Sequence, residues 1–67
     1  MIKATCFTNL DGYRQVEWPL AFAEVPRIGD RVEGKRGQFQ PVLKVIAVTH
    51  GWDRMAGEPK ITVELHN

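Results

Sequence analysis

Val42-Leu43-Lys44-Val45-Ile46-Ala47-Val48-Thr49 is apolar at nearly every position and rich in β-branched residues. A run of this kind reads as a strand covered on both faces and lying centrally in a sheet. Upstream, Pro41 interrupts the start of the same segment, and Gly34-Lys35-Arg36-Gly37 forms a glycine-flanked basic turn. Before it, Arg31-Val32-Glu33 begins a strand that Val25-Pro26-Arg27-Ile28-Gly29-Asp30 delivers, because proline fixes φ and the Gly-Asp pair permits a tight reversal. Downstream, His50 to Pro59 reads as a long loop. Lys60-Ile61-Thr62-Val63-Glu64-Leu65-His66 then alternates polar and apolar residues, the pattern of a half-buried strand.

Nearer the N-terminus, Ile2 to Asn9 is rich in β-branched and aromatic residues, and Leu10-Asp11-Gly12-Tyr13 carries the Asp-Gly pair of two-residue hairpin turns. This predicts a first hairpin with Tyr13 to Trp18 as its return strand, Val16 and Trp18 facing the core. Pro19 suits an edge or a bulge. Leu20 to Val25 fits either a short helix or a strand; the alternation of Leu20 and Phe22 with Ala21 and Ala23 favours the strand. The expected fold class is all-β, a small barrel of the Src-homology-3-like or OB type. It would be built from five or six short antiparallel strands and would span residues 1–67 as one domain.

A chain of 67 residues buries only ~60% of the surface its unfolded form exposes, so a deep substrate pocket is not expected without help from a second subunit. The formal net charge of +1 gives no global field toward nucleic acid or an anionic membrane. The one cysteine, Cys6, excludes an intramolecular disulfide and any Cys-rich zinc site, which favours a reducing compartment. No apolar run approaches a membrane-spanning length, and the first residues lack a basic-then-apolar signal; a cytoplasmic protein is the expectation.

The layout of Val25-Pro26-Arg27-Ile28-Gly29-Asp30-Arg31-Val32, then Val45 to His50, then Pro59 to Leu65, resembles small uncharacterised bacterial and phage β-domains over roughly the C-terminal two-thirds of the chain. More loosely, Gly29-Asp30-Arg31-Val32 with Gly34 and Gly37 is similar to the start of KOW-type motifs, whose family members bind RNA or ribosomal and transcription partners. Gln38-Phe39-Gln40-Pro41 stands where that motif has its regular second strand. The similarity therefore points to fold, and no binding residue is carried over from it.

Chemistry-bearing residues are few. Cys6, His50 and His66, with Asp53 as an orienting carboxylate, are the components of a nucleophile–base arrangement, yet Cys6 sits in an apolar strand where a free thiol acts as a small hydrophobe. His50-Gly51-Trp52-Asp53 places imidazole, indole and carboxylate in one loop, with no further ligand at metal-binding spacing. Residues 27–44 hold five basic side chains, Arg27, Arg31, Lys35, Arg36 and Lys44, against Asp30 and Glu33. With Phe39, Tyr13 or Trp52 as stacking faces, they form the candidate nucleic-acid surface. Trp52 in a polar, Gly-rich loop is the residue that core packing explains least, and exposed tryptophans anchor protein interfaces.

Together these residues predict a non-enzymatic interaction module without metal or cofactor, binding a protein partner or itself. Trp52, Arg54 and Met55 form one contact patch, and Arg36 and Phe39 a second. Self-association is expected at sheet edges near Pro19 and Pro41, and nucleic-acid binding through the 27–44 segment is the alternative.

Overall fold

The structure, a computed structural model, describes all residues from Met1 to Asn67 and contains six strands and no helix. These are β1 (Ile2–Lys3), β2 (Thr5–Thr8), β3 (Ala21–Phe22), β4 (Arg31–Glu33), β5 (Val42–Asp53) and β6 (Glu58–His66). A four-stranded sheet runs in the order β2-β6-β5-β4, and β1 pairs with β3 in a second, two-stranded sheet. The all-β expectation holds, and Leu20 to Val25 supplies a two-residue strand. The strands are not all short and antiparallel, because β5 has 12 residues and β2 runs parallel to β6.

The core lies on one face of the larger sheet. Leu43 and Val45 of β5 and Val63 and Leu65 of β6 are its fully buried side chains, closed by Val32 from β4 and by Ala4. Ala4 is the corner of the molecule. Its N–H donates to the Leu20 carbonyl at 3.1 Å, and the segment then leaves the β1–β3 pair to run beside β6, with Cys6 opposite Val63.

β5 is central in its ladder, flanked by β4 and β6, but only one of its faces is covered. Val42 is 52% exposed and Ile46 43%. The continuous apolar run has a different origin: a bulge at Ile46 lets both Val45–Leu65 and Ala47–Glu64 pair, so the inward position moves from odd residues to Val48. One extra residue changes the face of everything after it.

The first hairpin does not form. Gly12 does turn the chain, at φ +85°, but Tyr13 to Trp18 contributes only an isolated bridge from Glu17 to Lys35. β2 pairs with β6 instead, which carries Cys6 against the apolar cluster around Val63 and Leu65, a gain that the local turn alone does not offer.

Candidate functional site

The segment expected to be a loop from His50 to Pro59 is mostly strand. β5 continues to Asp53, β6 starts at Glu58, and only residues 54–57 turn. Asp53 builds that turn: its Oδ1 accepts from the N–H of Met55 at 3.0 Å and of Ala56 at 3.2 Å, and its carbonyl accepts from Gly57 N–H at 2.8 Å. Gly57, at φ +68°, takes the left-handed position that closes it. Pro59 is tolerated because β6 meets β2 only from Thr62 onward, leaving its far edge open there.

The result is an arm. On one side, the pairing of β4 with β5 stops at Lys44, extended only by the Val45 N–H to the Asp30 carbonyl at 2.8 Å and by Gly29 N–H to the Val45 carbonyl at 2.9 Å. From Ala47 to Asp53, β5 is paired with β6 alone, and Ile46 has no partner on either side. At its tip Trp52 is 69% exposed and Met55 100%, and Arg54 is exposed beside them. Trp52 lies across from Pro59 in the ladder.

The second expected patch is elsewhere. Arg36 and Phe39 exchange backbone hydrogen bonds at 2.8 and 2.9 Å across a tight turn with Gly37 at φ +59°. Phe39, 49% exposed, rests against the Tyr13 ring at a centroid distance of 6.1 Å, so part of its surface already serves the fold. This turn precedes β5, and the Trp52 arm ends it, eleven residue steps of strand away in a molecule 35 Å long. The two patches are not one surface.

Of the five basic residues, Arg31 and Lys44 are directly opposite one another on β4 and β5. His66 stands opposite Lys44 on β6, extending the pair to a cross-strand row of three exposed basic side chains. His66 was missed as a member of this group because strand register joins residues distant in sequence. Arg27 belongs to the turn its N–H makes with Asp30 Oδ2 at 2.9 Å. Lys35 and Arg36 lie outside the strands, in isolated bridges to Glu17 and to Phe39.

The nucleophile–base residues are not assembled. The Cys6 thiol donates to the Pro19 carbonyl at 3.8 Å, and burial pushes its pKa above the usual thiol value, which favours the thiol over the thiolate. His50 is two strand spacings across and two residue steps along, about 12 Å away, with β6 between, and His66 alternates onto the opposite face from Val63. No cluster of three potential metal-ligating side chains occurs. Near the expected edges, Pro41 is buried and its carbonyl accepts from Gly34 N–H at 2.9 Å, while the Pro19 carbonyl faces Cys6. Comparisons with protein-family models, curated proteins and solved structures found no match.

Proposed function

We propose that this protein is a non-enzymatic interaction module that binds another protein chain through the β5–β6 arm. The observation that carries the reading is the exposed Trp52 and Met55 at the end of a hydrogen-bonded ribbon whose turn is held by Asp53. A tryptophan exposes a large apolar area to water, and covering it at an interface is where the binding energy of many complexes concentrates. The ribbon presents it without further ordering of the chain, which lowers the entropic cost of association.

The test is cross-linking from a photoreactive residue placed at Arg54 in cells expressing the protein. Cross-linked protein species should form, and should be lost with Trp52→Ala while circular dichroism and melting are unchanged. With purified components, Trp52→Ala should weaken binding by about 2 kcal/mol or more. Cross-links that persist undiminished in Trp52→Ala would remove the arm from the reading.

A second reading, single-stranded nucleic acid on the outer sheet face, has the Arg31–Lys44–His66 row in its favour. Glu33 and Glu64 lie on the same face by alternation and offset much of that charge. Steeply salt-dependent binding of single-stranded RNA, lost on replacing Arg31 and Lys44 and indifferent to Trp52→Ala, would select it.

A further inference from the structure

We infer, on the reading of the arm as the interaction surface, that Met55 is a site of reversible oxidation by peroxide and that its sulfoxide switches off binding through the arm. The sulfur-bearing side chains of the protein are Met1, Cys6 and Met55. Met55 is 100% exposed, so the rest of the molecule shields none of its thioether. Met1 is 96% exposed but precedes β1, outside the arm. Cys6 is half-buried against the core, and burial favours its thiol over the thiolate, the form that reacts with peroxide. Among these three sulfurs, Met55 alone is both open to an oxidant and part of the arm.

The thioether sulfur takes one oxygen atom from hydrogen peroxide, giving methionine sulfoxide and releasing water; the sulfur is oxidised and the peroxide reduced. The fold loses nothing in this step. The turn is held by Asp53 Oδ1, which accepts from the N–H groups of Met55 and Ala56, and by the Asp53 carbonyl, which accepts from Gly57 N–H. All three donors are main-chain groups that oxidation of a side chain leaves in place. What changes is the surface of the tip, where a flexible apolar side chain becomes a polar one. A partner that covers Trp52 and Met55 together must then dehydrate the sulfoxide oxygen, and a polar group buried without a donor opposes association. Methionine sulfoxide reductases return the sulfur to the thioether, which makes the change reversible.

Peptide mapping of the purified chain after treatment with hydrogen peroxide tests the chemistry. Met55 should gain oxygen as fast as methionine in a short unstructured peptide, and Cys6 should react more slowly than a free thiol, with the circular dichroism spectrum unchanged. For the switch, the chain carrying the photoreactive residue at Arg54 is oxidised, freed of peroxide and irradiated in cell lysate. The cross-links made by the untreated chain should be lost after oxidation and regained after treatment with methionine sulfoxide reductases. Met55→Leu should cross-link like the wild type and be insensitive to peroxide. Met55 oxidised several-fold more slowly than the reference peptide, or a Met55→Leu chain as sensitive to peroxide as the wild type, would overturn the inference. Cross-links lost with Trp52→Ala but kept on oxidation would remove the switch and leave the interaction reading standing. Cross-links that are absent, or indifferent to both changes, would remove the two together.

Discussion

Gly34 is the residue at which the backbone has least room. A Cβ there would lie 2.5 Å from Val16 Cγ1 and 2.7 Å from two carbons of the Trp18 ring, so the absence of a side chain is what lets the Trp18 segment pack against the chain just after β4. Its φ is not in the left-handed region; the requirement is for space. Gly34→Ala is expected to destabilise the fold by about 1–3 kcal/mol through overpacking. Gly51 is the internal control, because a Cβ there meets nothing within 4 Å. Thermal melts of the two alanine variants should therefore diverge, with Gly51→Ala within about 0.5 kcal/mol of wild type. Equal melting temperatures would contradict the close approach. Gly34 was legible in the sequence as part of a turn, and its contact with Trp18 was not, since sixteen residues separate them and only the Glu17–Lys35 bridge brings them together.

At the level of elements, the bulge at Ile46 is the deciding feature. Leu43 and Val45 face the core before it and Val48 after it, so Ile46 is the extra residue that a regular ladder opposite Val63 to Leu65 does not need. Deleting Ile46 should keep Leu43, Val45 and Val48 on the inner face and leave a cooperative melt. Deleting Lys44 should instead turn Leu43 outward and unfold the protein, because a one-residue slip exchanges the faces of a strand. A deletion of Ile46 that melts no better than the deletion of Lys44 would refute this account of the apolar run. The alternation of Lys60 to His66 survived intact as β6, whereas alternation in β5 was masked by the bulge, for which an apolar run carries no local signal.

For the molecule as a whole, the parallel pairing of β2 with β6 unites the two ends of the chain around Val63 and Leu65. Thr5 stands opposite Thr62, a contact that only a long loop closure can make, and folding should accordingly fall in the millisecond-to-second range of β proteins rich in non-local pairs. Stability resides in this small core. Val45→Asp, which would bury an unpaired carboxylate at a position only 1% exposed, is expected to abolish the cooperative melt, while exposed Lys60→Ala leaves it unchanged. A native spectrum from Val45→Asp would mean that the core does not lie where β5 and β6 place it.

The sequence by itself determined that the chain is built of strands, where β4 and β6 lie, and that Trp52 is surplus to the core. Each follows from composition, period-two alternation and turn chemistry, which act within a few residues. Tertiary structure alone decided that β2 leaves its expected hairpin for β6, that His50 to Asp53 and Glu58 to Pro59 extend the strands into an arm, and that Lys44 and His66 stand side by side. Those outcomes depend on which distant strand completes a ladder or covers an apolar face. Pairing free energy of that kind belongs to two segments at once, and neither segment carries it in its own residues.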